Sequence, residues 1–343
     1  MQDRRVLLAL LLMSKSRKQA PSRLSSLYTR VKEELMRIEH ARLVRIKHYL
    51  TVSCLPTPEV APWMYIWAHG TDENLFTITS LGRKSFGLLM DRFALYYAIP
   101  LYRPKGGRPR KLQYHHQVFG LLLAFYVGSM EHKALCAMLG VPHSTLSRVL
   151  KHAEDALRQA LSGFSPARIV CATIARQEAL ARLTTQRESM LQFTWGFIDG
   201  KNYRIQEPSN HDVQNAYYNE WLHNVYVTGT LCFRADGLIV WCRHHCSGSW
   251  NDSDTSFAFR EALRDPILNP DKRYGVVADS AFPCSDDMVG RILTPLKEGE
   301  LGRVILTVRE GLVEKVYHRL LHPLPYDRDK RKLRLDNLFR LVN

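Results

Sequence analysis

Long hydrophobic runs and cysteines are both scarce in this chain of 343 residues. The run VLLALLLM at positions 6–13 is too short to cross a bilayer, and no small-residue cleavage site follows it. We therefore expect a helical segment there rather than a signal peptide, and no membrane partner. The seven cysteines are an odd number without the dense spacing of a disulfide framework, which favours a reduced intracellular compartment.

Acidic residues are in deficit in both flanks of the chain, and the formal net charge is +15. Residues 1–50 contain 12 Lys and Arg against 4 Asp and Glu, residues 101–150 contain 7 against 1, and residues 315–343 contain 8 against 3. The block 151–314 contains 18 against 21. Basic flanks around an acidic-leaning centre are typical of a protein that holds a polyanion and keeps carboxylates at its centre. Solvated basic faces are the alternative that charge alone leaves open.

Hydrophobic periodicity and charge divide the chain into four parts. Residues 1–100 are expected to be a basic helical N-terminal region, with helices over 22–49 and 76–98 and a loop over 51–75, where Pro and Gly recur. Residues 101–190 are expected to be a helical DNA-binding region. Residues 191–322 are expected to form an α/β domain, and residues 323–343 a basic C-terminal tail.

A run of cations opens the second part, in the sequence RPKGGRPRKL at 103–112. Pro and Gly disfavour regular structure here, and Gly-Arg-Pro-Arg is similar to the arms that insert Arg into a narrow minor groove. A flexible linker is the alternative. The residues predicted to contact DNA are Arg103, Lys105, Arg108, Arg110 and Lys111.

Residues 131–152 carry a stronger signal for DNA contact. An apolar helix ends at Gly140, Val-Pro turns the chain, and Ser144 is placed to cap a second amphipathic helix. Two helices joined by a short turn that contains Gly match the helix-turn-helix pattern of DNA-binding proteins. An ordinary helical hairpin is the alternative. The second helix would present Ser144, Thr145, Ser147, Arg148 and Lys151 to DNA, beside His143.

The third part alternates in the manner of strands. Strands are predicted over 193–205, 225–233, 238–243 and 274–278, with an Asp236-Gly237 hairpin turn, and a helix over 252–264. A short strand over 304–308 and a helix over 313–321 follow.

Asp199 lies near the middle of the first of these strands, and Asp279 ends the strand over 274–278. Asp is disfavoured in strands, and carboxylates that converge cannot all stay ionised without a cation between them. With Glu314 on the late helix they would form a set of hard oxygen ligands suited to Mg²⁺ or Mn²⁺. Such ions would activate a water or a 3′-hydroxyl in phosphoryl displacement, which makes the chain a candidate metal nuclease. Plain turn residues are the alternative.

An ordered series of motifs resembles the DDE transposases of the PIF/Harbinger superfamily, over roughly residues 112–321. The motifs are Ile198-Asp199-Gly200, Tyr217-Tyr218-Asn219, Asp236-Gly237, Gly248-Ser249-Trp250-Asn251-Asp252-Ser253, Ala278-Asp279-Ser280 and Leu293-Thr294-Pro295.

The resemblance implies an RNase H-like catalytic domain, a mixed sheet flanked by helices, preceded by an all-α region with the helix-turn-helix. Asp199 would match the first catalytic carboxylate, Asp279 the second and Glu314 the third, and all three would bind Mg or Mn. Glu310 is the alternative third carboxylate. Asp252 would be an auxiliary acidic residue.

The resemblance also implies a function, metal-dependent cleavage and transfer of DNA strands in the nucleus. Its DNA partners would be transposon ends and a target site, with a Myb-like partner protein and a homo-oligomer as further expectations. The segment between Gly299 and Gly311 is short for the third motif. A transposase-derived DNA-binding protein without nuclease activity is therefore the alternative.

Two further groups attract notice. The residues Cys242, His244, His245 and Cys246 could suggest zinc, but a single strand cannot wrap a tetrahedral ion, so no zinc site is expected. Trp221 and Trp250 could stack on a nucleobase, but we expect core or loop packing for both.

Overall fold

The computed structural model describes residues 22–100, 110–128, 130–279, 281–282, 288–294 and 316–343. Within these ranges the chain forms eleven α-helices and a six-stranded mixed sheet. The helices come first along the chain and the sheet follows, as the change in periodicity predicts. This mixed α/β architecture is compatible with a DDE nuclease fold. The apolar run at 6–13 and the predicted strand over 304–308 lie outside the described residues.

Helices occupy almost all of the described chain before residue 188. Their bounds are α1 Ser22–His48, α2 Pro62–His69, α3 Asp72–Thr79, α4 Arg83–Ala94, α5 His115–Val127, α6 His132–Leu139, α7 His143–Leu161 and α8 Ile174–Arg187. The prediction of a loop over 51–75 is therefore wrong. Pro62 occupies the first turn of α2, where a missing N–H costs nothing, and Gly70 ends that helix.

The helical region is built around α5, which is buried on nearly every face. A helix that is apolar all round belongs in a core, and aromatic rings from α2 and α4 surround this one. The rings of Phe86 and Phe119 lie 4.8 Å apart, and those of Phe93 and Phe119 lie 5.2 Å apart. Burial of these rings makes α5 the rigid centre on which α6 and α7 rest.

A tight turn joins α6 to α7. Gly140 adopts a left-handed conformation with φ of 68°, and the N–H of Val141 donates to the carbonyl of Cys136 at 3.1 Å. A Cβ at Gly140 would overlap the backbone around Pro56, so glycine is required twice over. Pro142, not Ser144, precedes the first turn of α7, and no side chain caps it. The helices lie where the sequence predicts them, and DNA contact by this pair stays a prediction.

The sheet has the order β2-β3-β1-β5-β6, with β4 also paired to β3. β3 runs antiparallel to β1 and β4, whereas β5 runs parallel to both β1 and β6. The strands are β1 Thr194–Arg204, β2 Tyr218–Asn219, β3 Asn224–Arg234, β4 Ile239–Ser247, β5 Gly275–Val277 and β6 Ile292–Leu293. The helices α9 His211–Tyr217 and α10 Asp252–Arg264 interrupt them, and α8 and α10 cover one apolar layer of the sheet.

The C-terminal segment is structural rather than a solvated tail. A parallel bridge joins Leu324 to Ile205 at the end of β1. The last helix, α11 Arg328–Val342, then packs on α7 and β4, with Arg331, Arg334 and Phe339 buried. The solvated basic face that charge alone leaves open is present only in part, because Arg328, Lys330 and Lys332 are exposed whereas Arg331 and Arg334 are buried. Of the predicted helix over 313–321, residues 313–315 lie outside the described residues, Val316 is helical, and His318–Leu321 form a 3₁₀ turn.

No helix in the described ranges is long and apolar enough to span a membrane. The described cysteines are free thiols: Cys54, Cys136, Cys171, Cys232, Cys242 and Cys246.

Candidate active site

Strand register brings Asp199 and Asp279 to the same level of the sheet. Phe197 of β1 pairs with Val277 of β5 in parallel, and each aspartate lies two residues beyond its member of that pair. Parallel neighbours lie about 4.8 Å apart, so Asp279, just past the end of β5, lies beside Asp199, which is still within β1. Asp279 follows the end of its strand, where its Oδ1 accepts the N–H of Ala281 at 2.9 Å. The sequence prediction that both belong to one site is consistent with this register.

Asp252 is brought close to β1 by α10, on the side of the strand that Gly200 faces. Gly200 pairs with Thr230 across β1 and β3, and the hydroxyl of Thr230 lies 2.7 Å from that of Thr255, both buried. Asp252 is one helical turn before Thr255, and its carboxylate lies directly over Gly200. The paired threonines therefore fix the start of α10 on the sheet. They orient a carboxylate that the sequence assigned only an auxiliary role.

The charges of the three aspartates interact. Burial, and then the negative charges of Asp279 and Asp199, raise the pKa of the Asp252 carboxyl above its usual value. Lys201, two residues after Asp199 on the same side of β1, places its ammonium 3.1 Å from Asp199 Oδ2. One cation therefore already balances part of this acidic cluster.

The donor set fits a hard divalent cation. Three carboxylates from β1, the end of β5 and the start of α10 supply oxygen ligands, and their mutual repulsion is the condition that a bound cation relieves. Among the residues that the structure describes, no three His, Cys, Asp or Glu side chains already form a metal-binding group. Glu314 and its alternative Glu310 lie outside those residues. The third ligand therefore stays a prediction.

Gly200 allows Asp252 to approach the sheet, because a Cβ at this position would overlap Asp252 Oδ1. We expect Gly200→Ala to displace that carboxylate while leaving the strand intact. Misplacement of a catalytic group by about 1 Å can cost about a hundredfold in rate. The measurement is metal-dependent DNA cleavage, together with thermal unfolding.

Gly87 on α4 is the matched control, because a Cβ there meets nothing within 4 Å. Gly87→Ala should keep full cleavage and gain roughly 0.5–1 kcal/mol of stability from the better helix former. Full cleavage by Gly200→Ala would contradict a role for Asp252 at this position.

The predicted DNA-contacting residues of α7 are mostly accessible. Ser144, Ser147, Arg148 and Lys151 are exposed, and Thr145 is half-buried. His143 is not free for DNA: its Nε2 lies 3.0 Å from His132 Nδ1, and its ring lies 4.4 Å from that of Tyr49.

The arm before α5 is described only in part. Arg110 is exposed beside the hydroxyl of Tyr97, and Lys111 is half-buried. Arg103, Lys105 and Arg108 lie outside the described residues.

A cleft of about 800 Å³ separates α7 from α11. Its lining mixes cations and carboxylates, so it is not a simple phosphate groove. The basic residues are Lys151, Arg158, Arg319, Lys330, Lys332 and Arg334, and the acidic ones are Glu154, Asp155, Asp327, Asp329 and Asp336.

The two histidines of β4 have partners on the C-terminal helix α11. His244 Nε2 lies 2.9 Å from Asp336 Oδ1. The Nε atoms of Arg328 and Arg331 lie 3.3 Å from His245 Nε2 and Nδ1, respectively, and a neutral imidazole accepts from one of them. Burial, followed by these cations, lowers the pKa of His245 to about 4. Both histidines thus attach β4 to the C-terminal helix.

The sequence did not single out Lys201 or the threonine pair. Strand alternation places Lys201 on the side of Asp199 and could have identified it. The pairing of Thr230 with Thr255 depends on how α10 crosses the sheet, and no local pattern contains that information.

Asp199 on β1, Asp279 after β5 and Asp252 at the start of α10 place three carboxylates beside a mixed sheet. In line with this, residues 198–316 match the family model of the DDE superfamily endonucleases. The matched range contains Asp199, Asp252 and Asp279, and it supports a DDE-type transposase family with nuclease- or transposase-type activity and DNA as substrate. DDE endonuclease domains generally use divalent metal ions. No curated protein and no solved structure gave a significant match to the chain.

Proposed function

We propose that this chain is a transposase of PIF/Harbinger type, which cleaves and transfers DNA strands with Mg²⁺ or Mn²⁺. The observation that supports the proposal is the placement of Asp199 and Asp279 two residues beyond the parallel pair Phe197 and Val277, with Asp252 at the start of α10 nearby. Burial, and then the negative charges of Asp279 and Asp199, raise the pKa of Asp252. In a purely structural cluster each carboxylate is normally paired with a cation, and among the described residues Lys201 supplies such a partner to Asp199.

In this proposal Asp199 and Asp279 hold the divalent ions with Glu314, as the family motif implies, and Asp252 joins them as a ligand or a proton carrier. A bound divalent ion supplies Lewis acidity toward water, a DNA 3′-hydroxyl and the phosphate oxygens. Thr255 and Thr230 keep Asp252 over the sheet. Lys201 moderates the charge of Asp199.

The helical region holds the DNA in this proposal. The exposed face of α7 would contact transposon ends or the target site, with the basic arm before α5 as an additional phosphate contact. Localisation in the nucleus, a Myb-like partner protein and a homo-oligomer belong to the same proposal, and they rest on the sequence resemblance.

A second function is favoured by one observation, the Lys201 ammonium 3.1 Å from Asp199. A lysine in this position can neutralise the carboxylate without any metal. In a transposase-derived DNA-binding protein that has lost cleavage, this ion pair could remain in place at all times, because Asp199 would not need to bind a metal ion.

The deciding experiment uses the intact chain and a supercoiled plasmid that carries the DNA flanking its coding region. We expect nicked and linear products with Mg²⁺ or Mn²⁺ and none with a chelator. Asp199→Ala should lose cleavage yet bind the same DNA as tightly as the unchanged chain.

Asp271→Ala serves as the matched control, because Asp271 lies in the loop before β5 and pairs with Arg273 at 2.7 Å. This variant should cleave normally. Failure of the intact chain to cleave with any divalent ion, with DNA binding retained, would overturn the proposal in favour of the second function.

A further inference from the structure

A cleft of about 640 Å³ opens directly beside Asp252. Its walls come from β1, from the turn between β2 and β3, and from the loop that precedes α10. Two indoles and several amides line it, with Asp252 at one end. The lining residues used below are Asn202, Asn215, Asn219, Trp221, Trp250 and Asp252.

Trp221 is 90% exposed, which contradicts the expected packing of this residue. Its turn is nevertheless well fixed. The N–H of Leu222 donates to Asn219 Oδ1 at 2.9 Å, and Asn219 Nδ2 donates to the carbonyl of Gly248 at 2.7 Å. An indole held by an ordered turn and left in water forgoes the free energy of burying a large aromatic surface. Such a side chain is suited to receive a ligand.

Trp250 contributes a second indole, 40% exposed, and it also borders a neighbouring cavity of about 540 Å³. The guanidinium of Arg243 lies 5.1 Å from the centre of its ring. Arg260 lines the same neighbouring cavity and donates to the carbonyl of Ser253 at 3.0 Å. The aromatic surface near the carboxylates therefore continues, past Trp250, into a cationic surface formed by Arg243 and Arg260.

This combination has a specific ligand chemistry. Indole faces stack on flat heteroaromatic rings, side-chain amides can both donate to and accept from ring edges, and arginines follow a phosphate backbone. A base inside a duplex offers neither a free face nor a free pairing edge. A base that is unpaired or rotated out of the stack offers both.

We propose that the cleft binds an unpaired nucleobase of the DNA strand adjacent to the phosphate at the carboxylates, stacked on Trp221 and Trp250. The strand then continues past Trp250 toward Arg243 and Arg260. The identity of this strand as the one being cut rests on the proposed function. The site makes the enzyme selective for locally opened or frayed DNA.

The test compares two fluorescent DNA probes by anisotropy, a blunt duplex and the same duplex with a short single-stranded 3′ extension. A chelator is present, so no cleavage can occur. The intact chain should bind the extended probe roughly tenfold more tightly, since stacking of one base on an aromatic side chain has an effect of about this size. Trp221→Ala and Trp250→Ala should each reduce this preference, and together they should abolish it.

Trp221→Phe retains an aromatic face, so it should keep most of the preference for the extended probe that Trp221→Ala loses. Tyr65→Ala is the matched control, because Tyr65 is 71% exposed on α2, outside both cavities. Equal binding of the two probes by the intact chain would overturn the proposal, as would a preference that survives the double replacement with the fold intact. Binding is measured without cleavage, so a chain that is not a nuclease can pass this test and an active nuclease can fail it.

Discussion

Asp252→Asn is expected to raise the melting temperature of the metal-free protein and to reduce metal-dependent cleavage by about a hundredfold or more. The loss of cleavage follows because metal-bound charge stabilisation is worth several kcal/mol in the transition state. The gain in stability follows from the raised pKa of Asp252, caused first by burial and then by the charges of Asp279 and Asp199. This one substitution therefore separates the effect of the acidic cluster on stability from its effect on DNA cleavage.

The sign of the pH dependence is fixed by that raised pKa. A carboxyl whose pKa is higher in the folded than in the unfolded protein favours folding below the unfolded value, and this contribution is lost as pH rises through the folded value. At neutral pH the ionised Asp252 therefore opposes folding. The stability difference between Asp252→Asn and the unchanged protein should shrink as pH falls toward 3.8, the ordinary value for this group.

Thermal unfolding with and without Mg²⁺ completes the measurement. The ion should stabilise the unchanged chain, and it should have a much smaller effect on Asp252→Asn if Asp252 joins Asp199 and Asp279 as a ligand rather than as a proton carrier. Asp271→Asn is the control of opposite sign. Its hydrogen bond from Arg273 lowers the pKa of Asp271 to about 2, so this substitution should lower the melting temperature at neutral pH and leave cleavage unchanged. A metal-free Asp252→Asn that is less stable than the parent would contradict the proposed repulsion.

The sheet was predictable because its signals are local. Alternation identified β1 and β3, Asp236-Gly237 identified the hairpin turn, and the apolar run before Asp279 identified β5. The placement of Asp199 and Asp279 at the same level then follows from the parallel register of Phe197 with Val277.

The features that could not be predicted from the sequence are those that depend on residues distant in the chain. Asp252 gains its place from the bond between Thr230 and Thr255 across 25 positions of the chain. The helix α2 was missed because Pro62 suggests a loop until its position in the first turn is known. Trp221 was expected to pack, since exposure of an indole cannot be inferred from composition.

The C-terminal helix is the clearest such case. Its Arg-rich sequence resembles a solvated basic surface, yet Arg334 Nε donates to Glu154 Oε1 at 2.7 Å in a buried pair. The hydroxyl of Tyr126 also donates to Glu154 Oε1, at 3.2 Å, and Asn337 donates to the backbone carbonyl of Glu154 at 2.9 Å. A charged residue indicates a solvated surface only if it has no buried partner of opposite charge. The partner of Arg334, Glu154, lies 180 positions away in the chain, so no local pattern reveals it.

Arg334→Met is therefore expected to lower the free energy of unfolding by about 3–5 kcal/mol, because it leaves the Glu154 carboxylate buried without its cation. Although burial works against the guanidinium charge, Glu154 raises the pKa of Arg334, which indicates a pair that stays ionised. Chemical denaturation measures the loss. Arg182→Met provides the comparison, since Arg182 and Glu178 form an exposed pair on α8 at 3.8 Å and its removal should change stability by less than ~1 kcal/mol.

A double variant distinguishes the pair from simple loss of packing. Glu154→Leu combined with Arg334→Met removes both charges, so it should recover much of the stability that either single change loses.

The buried pair also lies between two parts of the fold. Glu154 lies on α7, whose exposed face we propose for DNA. Asn343, at the end of α11, accepts the N–H of Ile239 on β4 at 2.9 Å. The buried pair thus connects the proposed DNA-holding helix to the sheet that carries Asp199. If the single variant Arg334→Met lost less than ~1 kcal/mol, this connection would have to be carried by apolar packing alone.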